Sequence, residues 1–159
     1  MIRPAAPGDH AAIRAVEEAA FGQPDEAELV DRLRADVDAL VELVAEDGGE
    51  VVGHILFSPM RNEAGLSVAA LAPVAVAPAR QRGGVGGALV RAGLEACRAA
   101  GVDLVVVLGH ADYYPRFGFS AQAAEALTAP FSGPHFMALE LTPGALRPMT
   151  VRYAPAFGL

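Results

Sequence analysis

Hydrophobic positions along this chain change their period several times, and each change marks an element. Met1-Ile2-Arg3 reads as a short first strand. Ile13, Val16, Ala20 and Phe21 then recur on one face of a helix, with Asp9 placed as its N-cap. Gly22-Gln23-Pro24 breaks that helix. Asp25 opens a second one, with Glu28 in a capping-box position and Leu29, Val30, Leu33 and Val37 on the buried face. From Leu40 the pattern becomes that of strands. Leu40 to Glu46 and Val51 to Ser58 flank Asp47-Gly48-Gly49-Glu50, a hairpin signal. Arg61 to Gly65 is a polar turn, and Leu66 to Val76 is a long apolar strand. Pro73 lies inside that strand and cannot donate to a ladder, so a bulge or an opening of the sheet is expected beside it.

Helical period returns from Gly84 to Ala100. Gly86, Leu89, Val90, Gly93, Leu94 and Cys97 form one stripe, and Arg91, Glu95 and Arg98 the other. Gly101 ends this helix. Val102 to Leu108 is nearly continuous apolar sequence, the mark of a strand covered on both faces. Strand, glycine turn, helix and strand make a βαβ unit, so Leu71–Val76 and Val102–Leu108 should run parallel. Beyond Gly109 come a turn at Asp112 to Arg116, a loop-like stretch over 121–134, a strand at His135 to Leu141 and an extended tail from Arg147. No repeat or long linker divides the chain, so residues 1–159 are expected to form one α/β domain.

Composition narrows the class. Hydrophobic residues are 53% of the chain and mean hydropathy is +0.33, yet no apolar run reaches membrane-spanning length. Met1-Ile2-Arg3-Pro4 lacks the apolar run of a secretory signal. Cys97 is the only cysteine, and its place on a buried stripe argues against a nucleophilic role. A cytoplasmic protein without a membrane partner is the expectation. The net charge of −7 and the absence of a basic run argue against nucleic acid. An acidic chain suits a cationic small molecule better. No Cys/His cluster has metal-ligand spacing, so no metal is expected.

The richest stretch for chemistry is the turn joining Val74-Ala75-Val76 to the third helix, Gln81-Arg82-Gly83-Gly84-Val85-Gly86-Gly87. The first amides of a helix lack intrahelical partners and lie at the positive end of its dipole, which makes an anion site. Glycines let a phosphate approach the backbone closely. A P-loop is excluded because the chain contains no lysine. A dinucleotide fingerprint fails at Leu89, where its third glycine should stand. The pattern that fits is Gln81-x-x-Gly84-x-Gly86. It resembles the acyl-CoA-binding motif Gln/Arg-x-x-Gly-x-Gly/Ala of the GNAT superfamily of N-acetyltransferases. A second element agrees: Tyr114-Pro115-Arg116-Phe117-Gly118-Phe119 resembles that superfamily's Tyr-x-x-x-Gly-Phe. Further stretches resemble a bacterial subgroup of predicted N-acetyltransferases (YhbS-like), among them Val52-Gly53-His54-Ile55-Leu56-Phe57-Ser58 and Leu71-Ala72-Pro73-Val74-Ala75-Val76. That subgroup often has proline where this chain has Ala111.

The resemblance implies a GNAT-type fold: a mixed, twisted sheet of six or seven strands with helices on both faces, opened as a V between Val74–Val76 and Val102–Leu108. It implies acetyl-CoA as co-substrate. The backbone of Val74, Ala75 and Val76 would pair with the pantetheine arm, and Gln81, Arg82, Gly83, Gly84, Val85, Gly86 and Gly87 would hold the pyrophosphate. Arg80 is a further phosphate candidate. The implied reaction acetylates a primary amine of a small molecule or peptide, with Tyr114 as the acid that protonates the departing thiolate and Tyr113 as its neighbour. For the base, His110 leads, with His54, Glu26, Glu28 and Glu140 as other candidates. The first two helices and the strand carrying His54 should line the approach of the acceptor. Dimers are common in the superfamily, so a homodimer is among the expected assemblies. The rival readings are a non-catalytic acyl-CoA-binding or regulatory module and a nucleotide-binding module.

Overall fold

The computed structural model describes residues 1–159. In chain order it has β1 (Ile2–Pro4), α1 (His10–Phe21), α2 (Asp25–Ala35), β2 (Val41–Asp47), β3 (Glu50–Asn62), β4 (Val68–Val76), α3 (Val85–Ala99), β5 (Leu104–Leu108), α4 (Ala121–Ala124), β6 (Leu127–Thr128), β7 (Phe136–Glu140) and β8 (Met149–Arg152). The main sheet runs β1-β2-β3-β4-β5-β7. β8 pairs with the far end of β3 and with β6, bringing the sheet to eight strands. The short pair β6 and β8 comes from the stretch read as loop and from the extended tail.

The sheet is mixed. β4 and β5 are parallel, as a βαβ unit requires, and their neighbours are antiparallel. Helix α3 covers one face, where Leu89, Val90, Leu94 and Cys97 pack on Ile55, Phe57, Val105 and Val107. Helices α1 and α2 cover the other, with Ile13, Val30 and Leu33 on Val44 and Leu56. Leu104 and Val106, alternating with Val105 and Val107, join a further cluster with Phe136, Met149 and Val151. All four are buried, so β5 is covered on both faces. Gly93 lets α3 lie close to the sheet: a β-carbon there would sit 2.3 Å from Cε1 of Phe57.

Several local expectations change. Asp9 does not cap α1 with its side chain. It instead binds Arg3 in a bidentate ion pair at 2.7 and 2.9 Å and accepts the amide of Ala6. The capping box expected at Asp25 and Glu28 is absent, because Pro24 is the N-cap and has no capping side chain. Strand β3 continues through Asn62 rather than ending at Ser58, and β4 begins at Val68. Asn62 builds the turn between them, accepting from the amides of Ala64 and Leu66 and donating to the carbonyl of Leu66.

The break expected near Pro73 is present. On β3, Ile55 pairs with Val74 and Phe57 with Leu71, so Leu56 faces both Ala72 and Pro73. On its other edge β4 pairs with β5 only as far as Leu71 opposite Val107. Val74, Ala75 and Val76 therefore keep β3 as partner and leave the β5 side open.

Candidate active site

That opening is the head of a cleft of ≈ 1010 Å³. One wall is the end of α1 and the start of α2, through Phe21, Glu26 and Leu29. The floor is Leu71 to Val74, and the far wall is Leu108, Gly109, His110, Asp112, Tyr113, Tyr114 and Arg116. Gln81, Arg82, Tyr113 and Arg116 also line a second depression of ≈ 520 Å³ that continues over Val76, Gly84, Gly86, Gly87, Arg91 and Phe117. Together they form a groove from the α1–α2 side of the sheet to the start of α3.

The α3 end of this groove is shaped for an anion. Gly84 has φ +89° and turns the chain into the helix. Ala88 makes an early intrahelical bond, to the Gly84 carbonyl, and the amides of Val85, Gly86 and Gly87 precede it. Arg82 is a non-glycine residue at φ +65°, a conformation that a bare turn does not favour. Gln81 donates from Nε2 to the Val76 carbonyl at 3.0 Å, fastening the loop to the end of β4. Arg80 is engaged with Asp47 in an exposed ion pair and does not line the groove.

Two arginines that the motifs did not mark as phosphate candidates, Arg91 and Arg116, supply further positive charge. The Arg91 guanidinium lies 5.0 Å from the Phe117 ring centre, and that of Arg116 lies 4.5 Å from the Tyr113 ring centre. Arg116 also donates to the Tyr113 carbonyl. Stacking on aromatic faces holds these long side chains in place. Arg91 stands one helical turn beyond Gly87, a spacing that would have placed it beside the loop.

Tyr114 opens the short 3-10 turn Tyr114–Phe117 and is 7% exposed. Tyr113 and Phe119 meet its ring edge-on, at 5.1 and 5.8 Å between centres. Burial, with a smaller contribution from Tyr113, pushes its hydroxyl up to about 12. It therefore holds its proton across the physiological range. His110 is exposed and lines the same cleft. Glu26 shares that cleft as well, whereas Glu28 and Glu140 do not line it. Glu140 accepts from the Leu146 amide.

His54, expected among the candidate bases, is out of reach of the cleft. It does not line the cleft but is completely buried between the sheet and α1. Its Nδ1 is 2.7 Å from Oε2 of Glu17 and its Nε2 is 2.7 Å from Oε2 of Glu42. Arg34 closes the chain with a forked bond to Glu42. Burial raises the Glu17 carboxyl. Burial alone would lower the His54 ring, but the two carboxylates overcome it and raise it. Burial would also raise Glu42, yet His54 and Arg34 hold it at about 2. This chain of charges ties α1, β3, β2 and the end of α2 together directly behind Ala75, the strand partner of His54.

No group of three or more His, Cys, Asp or Glu side chains is arranged to hold a metal ion. No helix is long and apolar enough to cross a membrane.

Comparison with known proteins agrees with this geometry. Residues 1–121 match the acetyltransferase (GNAT) domain family. The chain is 44% identical over 122 residues to YjhQ, an uncharacterized N-acetyltransferase of Escherichia coli K12, covering 74% of this chain and 67% of that protein. Its fold is similar to a GNAT family acetyltransferase from Brucella melitensis solved with acetyl-CoA, at 41% identity and a TM-score of 0.84, over 99% of this chain and 97% of that one. It is also similar to YhbS from Escherichia coli solved with CoA, at 31% identity and a TM-score of 0.90, over 100% of this chain and 92% of that one. With its motifs, split sheet and relatives in agreement, the chain belongs to the GNAT family of N-acetyltransferases.

Proposed function

We propose that this protein transfers the acetyl group of acetyl-CoA to a primary amine of a small molecule or peptide by direct attack. The observation that carries this reading is the continuity of the groove. It joins a free strand edge at Val74–Val76 to the amides of Val85–Gly87, and it contains Tyr114. The pyrophosphate would lie against Gly83, Gly84, Val85, Gly86 and Gly87, with Arg82, Arg91 and Arg116 adding charge-assisted bonds. Gln81, which lines both parts of the groove, would join them and also fixes the loop through its bond to the Val76 carbonyl. Backbone groups of Val74, Ala75 and Val76 would take the pantetheine arm, and an amide among them would polarise the thioester carbonyl.

In the reaction the amine nitrogen bonds to the carbonyl carbon and the carbon–sulfur bond breaks. The thiolate takes a proton from Tyr114, and the nitrogen loses one to His110 or to water. A phenol that is fully protonated at neutral pH can donate to sulfur as its negative charge develops. The reading takes residues 1–159 as one acetyltransferase domain. Support comes from β7 and β8, which lie beyond the matched residues and still pair with β5 and β3.

The test is thermal unfolding with and without acetyl-CoA, with ATP and NADH as controls. A ligand that binds only the native state at about 100 times its Kd adds roughly 2.7 kcal/mol. A rise in Tm with acetyl-CoA alone is expected. A rise only with ATP or NADH would reject the reading. Stabilisation by acetyl-CoA without thiol release across a broad amine panel would favour a non-catalytic acyl-CoA-binding module.

A further inference from the structure

The two ends of the cleft differ in chemistry. Near α3 it carries Arg82 and Arg116. The α1–α2 wall supplies Phe21, Glu26 and Leu29, and Leu108 stands at the end of β5. Phe21 is 43% exposed and Leu108 47% exposed, large apolar side chains left open on either side of the mouth. Between them Glu26 is the one charged group on the α1–α2 wall.

On α1 and α2 only Asp25 and Glu26 lack a cation, and of these two only Glu26 lines the cleft. Glu18 pairs with Arg14, Asp31 with Arg14 and Arg34, and Glu28 with Arg32. Glu17 and Glu42 are consumed by His54 and Arg34. Glu26 has no cation. Its oxygens accept only from Gln23 Nε2, at 3.1 and 3.3 Å, which orients the carboxylate without neutralising it.

We propose that the acceptor is a small primary amine carried on an apolar body, its ammonium captured by Glu26 and its carbon skeleton packed against Phe21, Leu29 and Leu108. The inference rests on the acetyl-transfer reading above and names the substrate class for that site. Contact with Glu26 holds the ammonium at the mouth of the cleft, where it gives one proton to water, and the freed lone pair attacks the thioester carbonyl. The nitrogen–carbon bond forms and the carbon–sulfur bond breaks, the nitrogen gives its second proton to His110 or water, and the thiolate takes one from Tyr114, so the step balances without an oxidant or reductant.

Other amines fit this wall poorly. An amino acid would bring its own carboxylate toward Glu26 and toward Asp112 on the opposite side. An aminoglycoside would press hydroxyl groups against Phe21, Leu29 and Leu108, where they lose water without gaining partners. A polyamine would have to desolvate a further ammonium on the same apolar surface.

Thiol release from acetyl-CoA is to be measured with phenethylamine, isopentylamine, spermidine, kanamycin and glycine. Phenethylamine and isopentylamine should be turned over with kcat/KM at least about tenfold above the others, a difference one unpaired polar group can produce. Glu26→Gln and Phe21→Ala should each raise KM for the amine by about tenfold, with the Kd for acetyl-CoA unchanged. Both side chains reach solvent, and Tm measured alongside checks that each variant is folded. Preference for spermidine, kanamycin or glycine would overturn the proposal. So would failure of both apolar amines with a protein that acetyl-CoA still stabilises, or an unchanged KM in Glu26→Gln. If acetyl-CoA gives no stabilisation at all, the acetyl-transfer reading falls first and this inference goes with it.

Discussion

The Tyr114 ring occupies space that only a glycine at position 109 leaves open. A β-carbon on Gly109 would come within 2.4 Å of Tyr114 Cε2 and 2.9 Å of its Cδ2. The end of β5 and the proposed acid are therefore fitted to each other by the absence of one carbon.

Gly109→Ala should push the Tyr114 ring out of place. The expected cost is about 1–3 kcal/mol, typical of an overpacked site, together with a fall in kcat approaching that of removing the hydroxyl itself. Thermal unfolding and turnover on the same preparation check both effects. Full turnover in the Gly109→Ala variant would show that the ring position does not matter.

Tyr114→Phe keeps the ring and its edge-on contacts with Tyr113 and Phe119. It should lower kcat by about a hundredfold, the lower range for a positioned acid, while the Kd for acetyl-CoA stays the same. Unchanged turnover would remove Tyr114 from the chemistry. The Tyr113→Phe variant should be milder, because that hydroxyl lies beside Gly86 and Gly87 in the anion half of the groove.

Alkaline pH should loosen the fold in a defined window. Burial pushes Cys97, Tyr114 and Tyr153 each up to about 12. Each keeps its proton in the native state after the unfolded chain has begun to lose it. Their contribution is complete below about pH 8 and is lost as pH rises toward 12. For each phenol the loss is about 2–3 kcal/mol at most. A Tm that declines over this window, less steeply in Tyr153→Phe than in the parent protein, is the expected result.

The Glu17–His54–Glu42–Arg34 chain should be strongly non-additive. His54→Ala leaves Glu17 buried without its partner and should cost about 3–5 kcal/mol. Pairing an apolar residue at 54 with Glu17→Leu should recover part of that loss, because no buried carboxylate is then stranded on α1. A double-mutant cycle on unfolding free energies measures the coupling. Additive losses would show that the groups act independently. Glu42 adds an acid limit: held at about 2, its contribution is present above the usual carboxylate range and is lost as pH falls through that value.

Much of this was legible in the residues. Helical and strand periods located α1, α2, α3 and β5, and the glycine turn announced the parallel pair β4 and β5. Pro73 marked where the sheet opens, and the resemblance of Tyr114–Phe119 to the superfamily pattern singled out Tyr114, which lines the cleft. What escaped depends on contacts distant in sequence. His54 lies on a strand buried along most of its length, where alternation no longer distinguishes faces. Its partners Glu17 and Glu42 are 37 and 12 residues away. Arg116 reaches the groove because an aromatic ring holds it there, which its spacing alone does not state, whereas the one-turn spacing of Arg91 from Gly87 was a signal present in the residues. Asn62 turned an apparent loop into the end of a long strand by satisfying backbone groups with its side chain.

The cleft draws its two sides from separate stretches of chain. Residues 71–117 form the groove from the opened strand to the tyrosine turn, while Phe21, Glu26 and Leu29 come from α1 and α2 alone. Changes in the helical pair can reshape one side while leaving every residue of the other untouched. A lineage could exchange its amine by drift within those two helices and inherit its donor chemistry whole. That separation makes the architecture modular in heredity as well as in space, and it gives a library builder a short, contiguous target for recruiting new acceptors.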